Sequence, residues 1–120
     1  MFEIRKTFEV AVSHKLKLPY DSPCQRDHGH NLRITVWCAS TELNESGMVV
    51  DFAKIKKLIH DQLDHRCLND VDGLGWEVVA NQMIELNPTA ERIAEWIYLQ
   101  IDSCYRVDVQ ESEGNIVTYE

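Results

Sequence analysis

The chain contains no run of about 18 uninterrupted apolar residues, so nothing in it reads as a membrane-spanning helix. No long apolar segment follows the opening Met1-Phe2-Glu3-Ile4-Arg5-Lys6, and a secretory leader is therefore not expected. There is no Cys-x-x-Cys pair, which argues against a zinc ribbon. The four cysteines, at positions 24, 38, 67 and 104, are expected to be reduced, and the expected location is the cytoplasm. Positive charge is also scarce: 12 Lys and Arg stand against 20 Asp and Glu, a net charge of −8. That balance excludes a broad nucleic-acid or anionic-membrane surface, which needs a basic face. Any anionic ligand must be held locally, by residues such as Lys15, Lys17, Arg26 and Arg33. Repeats and low-complexity segments are absent. A length of 120 residues with 44% hydrophobic content suits one domain, 1–120, with a modest core.

Against those absences, Cys24-Gln25-Arg26-Asp27-His28-Gly29-His30 concentrates a thiol and two imidazoles within seven residues. In an extended segment, His28 and His30 project from one face, where neighbouring imidazoles can chelate a metal. Zinc suits neutral imidazole, and a catalytic zinc site has typically three protein ligands and one open position. The alternation of a first strand, Phe2 to His14, points to the third ligand. Phe2, Ile4, Phe8, Val10, Val12 and His14 share a face, broken only by Lys6. After His30, Leu32, Ile34, Val36 and Cys38 continue the other strand's apolar face. A hairpin between the two would unite His14, His28 and His30. A lone histidine on an apolar face is ordinarily a hydrogen-bonded core residue, but three in register read as a metal site. Cys24 reads either as a further ligand or as an inert buried thiol.

The remaining elements follow in the order two helices, then two strands. Asp51 is a plausible N-cap, followed by Phe52, Ile55, Ile59 and Leu63 as a buried stripe, with Lys54, Lys56, Lys57 and His60 expected on the solvated side. Asn87-Pro88-Thr89 reads as a second helix start, with Pro88 in the first turn and Ile93, Trp96, Ile97 and Ile101 buried. Between them, Trp76 to Met83 is expected to form a short helical turn. Val107, Val109 and Glu111 alternate in a strand, a turn follows at Glu113-Gly114-Asn115, and Ile116 to Tyr119 form the last strand. A carboxylate, Glu111, thus continues an apolar face. Asp64-His65 closes the first helix. A carboxylate can fix an imidazole's tautomer, but neighbours on a helix do not face each other, so this partnership requires the chain to leave the helix there.

These residues together resemble the 6-pyruvoyltetrahydropterin synthase family, and within it the 6-carboxytetrahydropterin synthase branch. The resemblance rests on Phe8 to Leu16, Cys24 to His30, Gly47-Met48-Val49-Val50-Asp51-Phe52, Leu63-Asp64-His65 with Leu68-Asn69, Asn87-Pro88-Thr89-Ala90-Glu91 and Val109-Gln110-Glu111-Ser112. Three residues between the cysteine and His-Gly-His match the carboxy-synthase pattern, and Gln25 stands where a folate-pathway branch carries Glu. Two features depart from it: the stretch between Asn69 and Pro88 is long, and Arg92 replaces a common Asn.

The resemblance implies an α+β tunnelling fold, an antiparallel four-stranded sheet with two helices on one face in the order ββααββ. It implies subunits joined into homohexamers, as dimers of trimers, with sites between them. His14, His28 and His30 would bind Zn2+, Cys24 would be the base, and Asp64 with His65 a proton relay. Glu111 would hold the pterin ring, with Thr89 and Glu91 bordering its pocket. The implied reaction converts 7,8-dihydroneopterin triphosphate to 6-carboxy-5,6,7,8-tetrahydropterin with release of acetaldehyde and triphosphate, in 7-deazapurine and queuosine biosynthesis. Two alternatives stay open. One is a pyruvoyl synthase that eliminates triphosphate and keeps the side chain; the other is a non-catalytic domain with a closed structural zinc site.

Overall fold

The computed structural model describes all 120 residues. In chain order the elements are β1 (Phe2–His14), β2 (His28–Ser40), α1 (52–63), β3 (Arg66–Cys67), β4 (Trp76–Val79), β5 (Gln82–Glu85), α2 (Ala90–Tyr98), β6 (Cys104–Ser112) and β7 (Asn115–Tyr119). Strands β1 and β2 pair antiparallel along their whole length, from Phe2 opposite Ser40 to His14 opposite His28. Strand β6 adds antiparallel to β2, and β7 to β6. The last turn passes through Gly114 at φ 82°, a conformation that glycine adopts without penalty. The period of two then sends Val10, Val12, Leu32, Ile34, Val36, Val107 and Val109 to one buried face.

This sheet differs from the expected one in strand count. Two residues of β3 pair in parallel with Val12 and Ser13 on the outer edge of β1, giving the order β3-β1-β2-β6-β7. A two-residue strand is too short to leave an alternating pattern.

Both helices cover the apolar face. Asp51 caps α1 by accepting a hydrogen bond from Ala53 N–H at 2.8 Å. Ile55, Ile59 and Leu63 are fully buried, each contributing about 1.5–3 kcal/mol of apolar transfer. The middle of the helix, Lys56–His60, is a π-helical turn between α-helical Phe52–Ile55 and Asp61–Leu63. Its wider turn keeps residues four apart in line with the core. Phe52 is not part of that stripe: it is 49% exposed, and the Lys6 ammonium lies 5.8 Å from its ring. That contact accounts for the one cation on the apolar face of β1. In α2, Ile93, Ala94 and Ile97 are buried, and Thr89 caps the helix by accepting from Arg92 N–H at 3.3 Å. Pro88 therefore precedes the cap and does not occupy the first turn, which leaves its carbonyl free for other work.

Trp76 to Met83 is not helical. Strands β4 and β5 form a separate hairpin, with Ala80 at φ 52° and Asn81 at φ 64°. Two left-handed residues in sequence are the signature of a type I′ turn, whose twist matches that of the flanking strands. Its apolar residues lie on both faces and stay exposed, Met83 at 75%, so no buried side announced the strands. The base of the hairpin is tight. A Cβ at Gly75 would sit 2.0 Å from the Asn69 carbonyl oxygen, and Gly75 N–H bonds Val71 O at 2.8 Å. Gly75→Ala is expected to lower stability by ~3 kcal/mol in urea unfolding, and a cost below ~0.5 kcal/mol would show that the backbones do not meet there.

Candidate metal centre

The register of β1 and β2 assembles the site. His14 faces His28, and Val12 faces His30, so three imidazoles crowd the end of the buried face. Their ring centroids are 4.5 Å apart for His14 and His28, 4.8 Å for His28 and His30, and 5.1 Å for His14 and His30. The Nδ1 of His14 lies 2.8 Å from the carbonyl oxygen of Pro88, and that of His28 lies 2.7 Å from the carbonyl oxygen of Arg26. A carbonyl can only accept, so both rings carry their proton on Nδ1 and leave a lone pair on Nε2. The Nε2 atoms of His14, His28 and His30 are all buried and lack a hydrogen-bond partner. Left unpaired, each would cost roughly 1–3 kcal/mol. A cation satisfies all three at once, and carbonyls behind the rings are the arrangement that orients imidazole ligands.

Glu111 supplies a fourth donor. It follows Val107 and Val109 on β6 and brings Oε1 to 3.1 Å from His30 Nε2, close enough to pair electrostatically but not aligned as a hydrogen bond. Ligand atoms of His14, His28, His30 and Glu111 all lie within 4.8 Å of one another, a group able to hold a metal ion. Burial is the main force pushing the His14 pKa below its ordinary 6.5, and the neighbouring His28 and His30 add to it. The Pro88 carbonyl and Glu111 pull the other way. His14 is therefore neutral near pH 7, the form that ligates metals.

Asp64 and His65 do face each other, because the helix ends at Leu63, just before them. Asp64 is extended at ψ 132°, and His65 takes φ 60°, a left-handed conformation uncommon outside glycine. Asp64 Oδ1 accepts from Ala11 N–H at 2.9 Å, and His65 N–H bonds Ala11 O at 2.6 Å, so the pair occupies both backbone groups of Ala11 on the β1 edge. The His65 Nδ1 then lies 2.9 Å from Asp64 Oδ2. First the Ala11 N–H and then His65 hold the Asp64 carboxyl below the usual carboxylate range. The His65 side chain is 82% exposed and stands apart from the four clustered donors.

Cys24 sits in a 3-10 turn, Pro23–Gln25, capped by Ser22, whose Oγ accepts from Cys24 N–H at 3.2 Å. Its thiol is half-buried, and its sulfur is not one of the clustered donors; Glu111 takes the fourth place instead. Thr89 is the cap of α2, and Glu91 is an exposed acid in the first turn of that helix. Sequence reasoning missed the carbonyls of Pro88 and Arg26, since backbone groups carry no residue signature. His60 is also displaced from expectation. It is half-buried against the Phe8 ring, 2.9 Å from Asp61 and 3.8 Å from Asp64, and does not lie on a fully solvated face. It is the last residue of the π-helical turn.

Fold and site together define an α+β protein with a three-histidine, one-carboxylate centre at the end of a long hairpin. The profile of the family described as 6-pyruvoyl tetrahydropterin synthase matches residues 3–120, and the chain belongs to that family. A Bacillus subtilis protein named 6-carboxy-5,6,7,8-tetrahydropterin synthase is 29% identical over 98% of this chain and 84% of its own. The Synechocystis protein of the same name is 36% identical over 85% of this chain and 76% of its own. Among solved structures, Caenorhabditis elegans 6-pyruvoyl tetrahydropterin synthase superposes with a TM-score of 0.68 at 23% identity, over 99% of this chain and 94% of that one. A catalytic-residue mutant of Plasmodium vivax 6-pyruvoyltetrahydropterin synthase gives 0.58 at 17%, over 99% and 98%. Both likenesses show the fold, which is the expected tunnelling type with a fifth, very short strand.

The lowered His14 pKa has a sign that solution work can check. An unfolded chain takes up the proton near pH 6.5, while the folded one resists it. The metal-free protein should therefore keep its stability above that value and lose it as pH falls below. Urea midpoints measured from about pH 7.5 to about pH 5.5 should drop at the acid end, and His14→Gln should flatten the curve. A flat wild-type curve would contradict the burial argument.

Proposed function

We propose that this protein is a 6-carboxytetrahydropterin synthase: a single catalytic domain spanning 1–120 that uses zinc to convert 7,8-dihydroneopterin triphosphate to 6-carboxy-5,6,7,8-tetrahydropterin, releasing acetaldehyde and triphosphate. The observation that carries the reading is the convergence of three buried, unpartnered Nε2 atoms at the end of one hairpin. Support for the branch comes from relatives carrying that name in bacteria and archaea. Zinc is favoured over harder cations because three of the four donors are imidazole nitrogens. In this reading the product serves 7-deazapurine and queuosine biosynthesis.

His14, His28 and His30 would hold the ion. Zinc held there would supply a Lewis acid for a substrate side-chain hydroxyl and offset negative charge on its oxygen. Cys24, as the base, removes a proton from the substrate side chain, and Asp64 orients His65 to pass a proton on. Glu111 can accept two parallel hydrogen bonds from the guanidine-like edge of the pterin. Thr89 and Glu91 border the ring. The exposed His65 and the open edges of β1 and β7 favour an assembly in which copies pair their sheets and complete one another's sites. A homohexamer, a dimer of trimers, would show a mass six times the 13.9 kDa of one chain in light scattering.

Glu111 also raises a second reading, because as a fourth metal ligand it would close the site and make it structural. Glu111→Gln separates the two. If Glu111 anchors substrate, zinc stays bound within about threefold of wild-type affinity while KM rises at least tenfold; loss of about 10- to 100-fold in zinc affinity supports the closed site. Turnover is tested by following pterin product, acetaldehyde and triphosphate together. Equal acetaldehyde and triphosphate are expected, and triphosphate alone would reassign the protein as a pyruvoyl synthase. Cys24→Ala should keep zinc and lose ~10²–10⁴-fold in kcat, whereas His28→Ala should lose both zinc and turnover.

A further inference from the structure

The segment after His14 has no strand beside it, yet its backbone is tied on both sides. Lys15 N–H donates to Asn69 Oδ1 at 2.9 Å, and Asn69 Nδ2 donates to Lys15 O at 3.0 Å. Two residues on, Lys17 N–H donates to Asn87 Oδ1 at 2.7 Å, and Asn87 Nδ2 donates to Lys17 O at 2.8 Å. Each carboxamide thus offers one acceptor and one donor to both backbone groups of a single residue, which is what an adjacent strand would do. Spacing by two means that Lys15 and Lys17 present the same edge. The opposite edge belongs to Leu16, whose N–H donates to Cys24 O at 2.7 Å. Gln25 extends this second side by donating from Nε2 to Leu18 O at 3.0 Å.

We propose that Asn69 and Asn87 are positioning residues that act as a surrogate strand, clamping residues 15–18 so that their far edge fixes the turn carrying Cys24 relative to the three histidines. The inference rests on the reading of Cys24 as the base. Loop 15–25 is closed on itself by the Leu16–Cys24 and Leu18–Gln25 bonds, so its polar ties to the body are the two carboxamides and one exposed ion pair, Lys17 to Glu85 at 2.7 Å. Exposed pairs of that kind contribute little. The four carboxamide bonds are therefore the main polar ties holding the cysteine loop in register.

Both clamps are built into the site's own scaffold. Asn87 immediately precedes Pro88, whose carbonyl orients His14, so one dipeptide aligns a metal ligand and the cysteine loop together. Asn69 is itself wedged by the bare backbone of Gly75 at the hairpin base. Neither asparagine is one of the clustered donors.

Asn87→Asp tests this with an almost isosteric change, since a carboxylate still accepts from Lys17 N–H but repels Lys17 O. Three readouts on the zinc-loaded protein are needed: zinc per chain, the iodoacetamide alkylation rate of the Cys24 peptide by mass spectrometry, and kcat with KM. The expected result is unchanged zinc content, at least threefold faster alkylation of the half-buried thiol as the loop swings free, and kcat lowered about 10- to 100-fold with KM within about threefold, since displacement of about an ångström costs that much. Alkylation and kcat both within twofold of wild type would overturn the proposal. Should that variant fail to fold, Asn69→Asp asks the same question at the other clamp with the same expected and contrary results. Alkylation needs no turnover, so an altered alkylation rate in a protein that makes no pterin product would sink the functional reading and leave the clamp standing.

Discussion

The three imidazoles of the site depend on the register of one hairpin. Thirteen-residue strands pair without a break from Phe2–Ser40 to His14–His28, and the apolar face they share fixes that register, because a one-residue slip would turn Val10, Val12, Leu32 and Ile34 out to water. Core burial and ligand geometry are thus the same constraint. The histidines occupy the last positions of a hydrophobic alternation, and the free energy that packs the valines also holds the imidazoles within about 5 Å of each other.

The cost of that arrangement is electrostatic. Burial, with the neighbouring His28 and His30 rings, pushes the His14 pKa down, so that ring resists the proton that would charge it. The backbone carbonyls of Pro88 and Arg26 resolve which nitrogen faces inward. Apolar packing brings the rings together, and two peptide groups aim them. The Asp64–His65 pair is handled differently: a half-buried carboxylate and an exposed imidazole are ordered by the left-handed turn at His65 and by both backbone groups of Ala11.

What was legible in the sequence was whatever repeated with a period or stood in a motif. The alternation of β1, β2 and β6 disclosed the sheet, the buried face and the convergence of His14, His28 and His30, and Glu111 was visible as a carboxylate extending an apolar strand. Spacings of three and four disclosed both helices. Features that rest on geometry without periodicity were hidden. Strand β3 is two residues long, the β4–β5 hairpin buries neither face, and the π-helical turn that contains His60 has no residue signature. Asn-Pro-Thr was legible as the start of a helix, but its service to His14 and Lys17 comes from a carbonyl and a carboxamide reaching 74 and 70 residues back along the chain.

The attachment of Asp64 and His65 to Ala11 also limits how the sheet can grow. Strand β1 keeps its outer edge free from Phe2 to Val10, while the pair seals Ala11, and β3 takes Val12 and Ser13. A strand from another molecule can zip along β1 only until it meets the acid–imidazole pair. That pair is thus a mechanical stop as well as a chemical group: a strand added along β1 would end against the imidazole.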